Sequence, residues 1–207
     1  MKEGLIIAIC GESGAGKSTT TEILKREGFV AYSLSGFLRA EAEAAIGTPT
    51  RIEVQQHGKS MQEAHGNDYY ARLLDDNTDL FLQSCAVIDG IRNGDELAYL
   101  RQRAAAAGVT LKLLALVLDS ESRFRRVTGR GRAGDPGEFA QFAADDARAN
   151  GAEGGFQNNQ ALIAMADWRI ENTGEMADLQ SRLRQLIDDR APVDPAPVTP
   201  QQRGANT

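Results

Sequence analysis

The feature that most constrains this chain is a run of six apolar residues, Leu5-Ile6-Ile7-Ala8-Ile9-Cys10, that runs straight into Gly11-Glu12-Ser13-Gly14-Ala15-Gly16-Lys17-Ser18. The apolar run is too continuous for a strand with one wet face. It reads as a central strand of a parallel sheet, covered on both sides. Gly11, Gly16, Lys17 and Ser18 then meet the pattern G-x-x-x-x-G-K-[ST], and a helical run stopped by Gly28 follows. Glycines let the backbone approach a phosphate closely, and successive N–H groups at a helix N-terminus face the anion. The segment Gly11, Glu12, Ser13, Gly14, Ala15, Gly16, Lys17, Ser18 and Thr19 is therefore the candidate nucleotide cradle. Lys17 is placed to reach the β- and γ-phosphates and Ser18 to ligate magnesium, so ATP and Mg2+ are the expected cofactors.

The rest of the chain continues the alternation of strand and helix. Phe29 to Leu34, Ala86 to Asp89, Leu111 to Leu118 and Trp168 to Ile170 read as further strands. Phe37 to Ile46, Asp95 to Ala107 and Met176 to Ile187 carry helical spacing. This predicts an α/β fold: a P-loop NTPase three-layer sandwich on a parallel five-stranded sheet with right-handed crossovers. A length of 207 residues suits one domain, placed over residues 1–190. Two segments interrupt the rhythm. Residues 48–82 form a polar insertion expected to take the acceptor, and residues 123–156 an arginine-rich lid, both at the strand ends where ligands bind in such sheets. Residues 191–207 hold Pro192, Pro195, Pro197 and Pro200 with little apolar content, and read as a disordered tail.

A second motif, Val87-Ile88-Asp89-Gly90-Ile91-Arg92, closes a buried strand with a carboxylate and sets an arginine three residues on. Asp89 is the second candidate magnesium ligand, and Arg92 a candidate to meet the transferred phosphoryl group. Arg123, Arg125, Arg126, Arg130 and Arg132 crowd into ten residues. Mobile lid arginines would neutralise charge at the moving phosphoryl group, and Arg126 and Arg130 are the strongest candidates. The alternative for the cluster is a solvated basic helix face. Arg148 reads equally as a lid arginine or as an ion pair on a helix.

These motifs resemble those of P-loop nucleotide kinases. Val87 to Arg92 is similar to the D-G-F-P-R stretch of adenylate kinases, and Ser35-Gly36-Phe37-Leu38-Arg39-Ala40 to their G-D-M-L-R-A stretch, which implies that Arg39 binds an acceptor phosphate. The overall pattern resembles dephospho-CoA-kinase-like proteins common in archaea. It shares their D-G-I-R element, their R-G-R-x-x-D-P element at Arg130 to Pro136, and their A-D-[YW]-x-I-x-N element at Ala166 to Asn172. Those relatives carry an Asp just after the second strand, where this chain has Gly36. Asp89 and Glu12 remain as candidate bases by location, Glu12 reading equally as a solvated side chain. The insertion, where such relatives seat the acceptor, offers Tyr69 for stacking and Arg72 for a phosphate. Neighbours on a helix do not share a face, so at most one of Tyr69 and Tyr70 faces a ligand.

The resemblance implies an ATP-dependent kinase. Its acceptor partner would be a nucleotide, dephospho-CoA or, from a similarity to small phage kinases, the hydroxymethyl group of 5-hydroxymethyluracil-containing DNA. The DNA acceptor is the first expectation and a free nucleoside monophosphate the second. A net charge of −6 argues against a protein that coats nucleic acid by bulk charge, though not against a local basic groove. A GTPase-type switch is disfavoured because nothing reads as N-K-x-D. A non-catalytic nucleotide-binding protein fits poorly with Lys17, Ser18, Asp89 and the arginines all present. No apolar run approaches the roughly 20 residues of a membrane span. Cys10 and Cys85 have no metal-ligand spacing and suit a reducing compartment. The chain is expected in the cytoplasm (a host's, if phage-encoded), without a membrane partner, as a monomer or homodimer.

Overall fold

Leu5–Cys10 forms β1, and its side chains alternate between two apolar layers. Ile6, Ala8 and Cys10 enter one core with Leu34, Leu38, Tyr70, Leu97, Leu100 and Leu113. Leu5, Ile7 and Ile9 enter the other with Ile23, Leu24, Leu114, Leu116, Leu179 and Leu183. A strand with an apolar layer on each face needs every residue buried, and all six are.

The structure is a computed structural model that describes residues 4–131, 135–150 and 158–188. After β1 come α1 (Lys17–Arg26), β2 (Val30–Ser33), α2 (Leu34–Ile46), α3 (Arg51–His65), α4 (Tyr69–Asn77) and a single 3₁₀ turn at Leu80–Leu82. Then follow β3 (Cys85–Asp89), α5 (Gly94–Ala106), β4 (Thr110–Val117), α6 (Ser120–Arg130), α7 (Phe139–Asn150), α8 (Asn159–Ala164), β5 (Trp168–Glu171) and α9 (Met176–Asp188). The five strands lie in the order β2-β3-β1-β4-β5. Every pairing is parallel, with Leu5 opposite Cys85 on one side and Thr110 on the other. The expected five-stranded parallel sheet of a P-loop NTPase is the one observed. Among the described residues no helix is long and apolar enough to cross a membrane. The expected tail at 191–207 and Arg132 lie outside the described residues, as does the side chain of Arg148.

Local chemistry sets where several elements begin. Helix α2 starts three residues earlier than the apolar spacing suggests, because the Ser33 hydroxyl accepts from Gly36 N at 3.1 Å and caps it. The polar insertion is helical and not irregular. A capping box opens α3, with Thr50 Oγ1 accepting from Glu53 N (3.3 Å) and Glu53 Oε2 from Thr50 N (2.7 Å). In the arginine-rich segment, α6 and α7 meet through Phe124, Phe139 and Phe142, whose ring centres lie 5.5 to 6.3 Å apart. A bidentate Arg123–Asp146 pair ties the same two helices (2.6 and 2.8 Å).

Candidate active site

The loop between β1 and α1 sits at the carboxyl end of the sheet, where parallel strands open onto solvent. Its backbone depends on glycine. Gly16 holds φ at 109°, and a Cβ there would overlap the amide of Asn172. Asn172, 6% exposed and just past β5, donates through Nδ2 to the carbonyl of Ala15 at 2.9 Å. Its own carbonyl accepts from Arg126 at 2.9 Å. The loop is thus held from the far edge of the sheet, by a residue 157 positions away in the chain.

Lys17 opens α1 and folds over the loop, donating to the carbonyls of Gly11 (2.6 Å) and Glu12 (3.0 Å). Burial, then the Arg92 cation, push its ammonium down to about 8. Glu12 is neither a solvated side chain nor a free base. It is 9% exposed, its carboxylate lies 3.2 Å from Arg123, and it accepts from Gln160 at 2.9 Å. Arg123 is itself 3% exposed and also donates to Ser13 O (3.3 Å) and Leu118 O (3.1 Å). So Arg123, which the sequence grouped with the lid, is a buried strut between the phosphate loop and α7. Arg125 turns outward to Ser122.

A cleft of about 1040 Å³ runs over the loop and gathers most of the expected site. Gly11, Ser13, Gly14, Gly16, Lys17, Ser18 and Thr19 form its floor, with Asp89 and Arg92 beside them. Arg126 and Arg130 line the side toward α6, and Arg39 the side toward α2. Arg130 makes a bidentate pair with Asp135 at 2.8 Å. Asp89 accepts from the Ser33 hydroxyl, which also lies 3.0 Å from that of Ser35. The close approach needs glycine at the next position. A Cβ on Gly90 (φ 81°) would lie 2.7 Å from Ser35 N. Gly36, in the first turn of α2, leaves ordinary space for a side chain, the nearest atom to a Cβ being Ser33 Cβ at 3.4 Å.

The donor set suits magnesium. Ser18 and Asp89 offer one hydroxyl and one carboxylate on the same cleft. Among the described residues no group of three or more His, Cys, Asp or Glu could hold a metal by itself. One hydroxyl and one carboxylate are the kind of oxygens a small hard cation takes beside phosphate and water.

Two expected acceptor residues are not on the cleft wall. The Tyr69 hydroxyl donates to Glu41 Oε1 (2.7 Å), and its ring stacks on His65. Tyr70, fully buried, donates to Glu41 Oε2 (2.9 Å). The two carboxylate oxygens hold both phenols against α2, with His57 3.4 Å away. Arg72 turns back onto α4's own start, pairing with Asp68 (3.0 Å) and the His65 carbonyl. From the insertion it is Pro49, Val54 and Gln55 that reach the cleft, with Ser35, Arg39 and Glu43 from α2. The Thr50–Glu53 capping box is a sequence signal for where α3 starts, but not for which of its residues face the cleft. Glu41 gave no local signal, because Tyr69 and Tyr70 lie 28 and 29 residues on, and the element that ends at Asn172 did not point to Ala15, 157 residues away.

Comparison with known proteins agrees with this architecture. A model of the family described as AAA domain matches residues 7–141. A UPF0200 protein of Pyrobaculum aerophilum is 32% identical over 183 residues, covering 88% of this chain and 96% of that protein. One from Methanopyrus kandleri is 30% identical over 185 residues, covering 88% and 89%. Among solved structures, TT1252 from Thermus thermophilus superimposes with a TM-score of 0.57 at 21% identity, covering 91% of this chain and 99% of that one. Shikimate kinase from Bacteroides thetaiotaomicron gives 0.55 at 14% identity, covering 89% and 98%. These two likenesses establish a P-loop, kinase-like fold. With the family model spanning most of the sheet and a relative aligned over nearly its full length, the chain belongs to the AAA domain family and to the UPF0200 proteins.

Proposed function

We propose that the protein is an ATP-dependent phosphotransferase that moves the γ-phosphate to a small, anionic, nucleotide-type acceptor. The observation that carries this is the convergence of Lys17, Asp89, Arg92, Arg126, Arg130 and Arg39 on one cleft. A nucleotide-binding switch has no need of cations on three sides of its phosphates. A transferase does, because charge spreads over the equatorial oxygens as the phosphoryl group moves.

The backbone N–H groups of the loop and the start of α1 would take the β-phosphate, and Lys17 would bridge to the γ-phosphate. Magnesium, held through Ser18 and Asp89, would neutralise the phosphate oxygens. Arg92 stands beside Lys17, and Arg126 and Arg130 reach in from the lid. In the transfer the bond from the γ-phosphorus to the ADP oxygen breaks. A bond to the acceptor oxygen forms, and the acceptor's proton, if it has one, leaves to solvent. Arg39 has no hydrogen bond or ion pair among the described residues, which leaves its guanidinium available to an acceptor anion. Glu43 and Gln55 supply polar partners beside it.

A cleft of about 1040 Å³ suits a mononucleotide donor and one small acceptor. A base inside duplex DNA would have to leave its stack to enter. The free nucleotide-type acceptor is therefore preferred over hydroxymethyluracil in DNA, reversing the order the sequence suggested. The test is transfer of labelled γ-phosphate from ATP to a panel of nucleoside monophosphates, dephospho-CoA, shikimate and DNA with or without hydroxymethyluracil. Label in a free nucleotide, lost in Lys17→Ala, is the expected result. Label in hydroxymethyluracil DNA alone would restore the DNA acceptor, and undiminished transfer by Lys17→Ala would overturn the mechanism.

A further inference from the structure

Arg92 lines the phosphate cleft, yet its backbone is gripped from outside it. Its N–H donates to Glu96 Oε2 at 2.7 Å, and its carbonyl accepts from Asn158 N at 2.8 Å. Glu96 is 0% exposed, in the first turn of α5. Its second oxygen accepts from Gln62 Nε2 at 3.2 Å. Gln62, 4% exposed on α3, also donates to the carbonyl of Asn67 at 3.0 Å. Asn93 completes the network. Its Oδ1 accepts from Glu96 N (2.9 Å) and its Nδ2 donates to the same Asn67 carbonyl (3.1 Å). Every partner named is a backbone group or a neutral amide.

A carboxyl group completely out of water is costly to keep in a fold, and an apolar residue would cap the same core without that cost. Burial first pushes the group up to about 7, with Arg92 opposing and Asp68 adding to the rise. Helix α5 does not need this carboxylate for its start, because Asn93 already caps it. What the carboxylate adds is a fixed direction for the Arg92 peptide and a hydrogen bond to α3, whose Val54 and Gln55 reach the cleft.

We propose that Glu96 is a positioning residue. Its buried carboxylate orients Arg92 toward the phosphates and, through Gln62, couples that orientation to the helix that walls the acceptor side. The proposal rests on the reading of the cleft as an anion site but does not require transfer to occur. It predicts that Glu96 and Arg92 act as one unit, so their effects do not add.

The experiment is a double-mutant cycle on ligand affinity, measured by titration calorimetry with ATP and separately with inorganic tripolyphosphate. The proteins are the wild type, Glu96→Gln, Arg92→Ala and the double variant. Glu96→Gln keeps an oxygen for Arg92 N but meets the Gln62 amide donor-to-donor. It should weaken tripolyphosphate binding about tenfold, the weight of one charge-assisted hydrogen bond. The double variant should bind no more weakly than Arg92→Ala alone. Melting curves check that each variant is folded, and Gln62→Leu, which removes the same partner from the other side, should repeat the loss if Glu96→Gln does not fold. Additive losses, or unchanged affinity in both Glu96→Gln and Gln62→Leu, would overturn the proposal. So would a wild type that binds neither ligand. Non-additive losses with no label transferred to any acceptor would refute the kinase reading and leave the positioning role standing.

Discussion

Asn172→Ala tests whether the phosphate loop is held from the far edge of the sheet. The side chain is 6% exposed, and its Nδ2 supplies the hydrogen bond to the buried Ala15 carbonyl. Truncation removes little volume but leaves that carbonyl without its partner. An unsatisfied buried acceptor costs about 1–3 kcal/mol. For a chain of this size that is roughly 3–10 °C in melting temperature. The Arg126 contact survives, because it is made to the backbone of residue 172. The loss should therefore fall on the loop, weakening ATP by about tenfold through lost preorganisation. Asn172→Asp should be worse, since it sets an oxygen against an oxygen and adds negative charge beside the phosphates. Scanning calorimetry and ATP titration read both effects. An Asn172→Ala protein that melts within about 1 °C of the wild type and binds ATP equally well would refute the reasoning.

Three further outcomes follow from the charges in and around the site. Lys17 is held at about 8, below the ordinary 10.5, so ATP should raise it again. ATP affinity should then fall above pH 8 by at most about tenfold per pH unit, and titration in buffers of different ionisation heat near pH 8.5 should show proton uptake, which Lys17→Met abolishes. Arg123→Met should destabilise the fold by roughly 3 kcal/mol, because it strands the carboxylates of Glu12 and Asp146, and an unchanged denaturation midpoint would show that the buried strut is dispensable. Glu96 is raised from 4.5 to about 7, so the folded chain holds the extra proton between those values. Stability should fall as pH rises through that window, by at most about 1.4 kcal/mol per unit, and denaturant titrations should show the slope flattened in Glu96→Gln.

The elements legible in the sequence are those whose reason is local. The apolar run of β1, the glycine and lysine spacing after it, and the carboxylate closing β3 need only neighbours in the chain to be recognised. The cleft gathers them as the pattern implies. What was not legible depends on which face of a helix turns inward. Tyr69 and Arg72 are of the right type and in the right segment. But Glu41, 28 residues before Tyr69, draws the phenol aside, and Asp68 draws the guanidinium. Arg123 and Arg126 differ by three positions and look alike in sequence. One is a buried strut and the other faces the cleft, and the carboxylates that hold the strut, Glu12 on the phosphate loop and Asp146 on α7, are not its neighbours in the chain. By resemblance, Gly36 stands where dephospho-CoA-kinase-like proteins carry an Asp. The structure adds that the Ser33 hydroxyl donates to Asp89 and lies 3.0 Å from the Ser35 hydroxyl, so polar groups just before Gly36 face that carboxylate.

The place of β1 in the middle of the sheet sets an order of events during synthesis. Its two neighbours are β3, from residue 85, and β4, from residue 110, so β1 stays without them while the ribosome adds some eighty residues. At about 5–20 residues per second, six apolar residues wait on the order of ten seconds without either partner. Asn172, the buttress of the phosphate loop, is made later still. A nascent chain therefore cannot form its finished nucleotide cradle until almost all of the sheet has emerged. Any nucleotide-dependent stabilisation of this protein acts only on chains that have grown past Asn172.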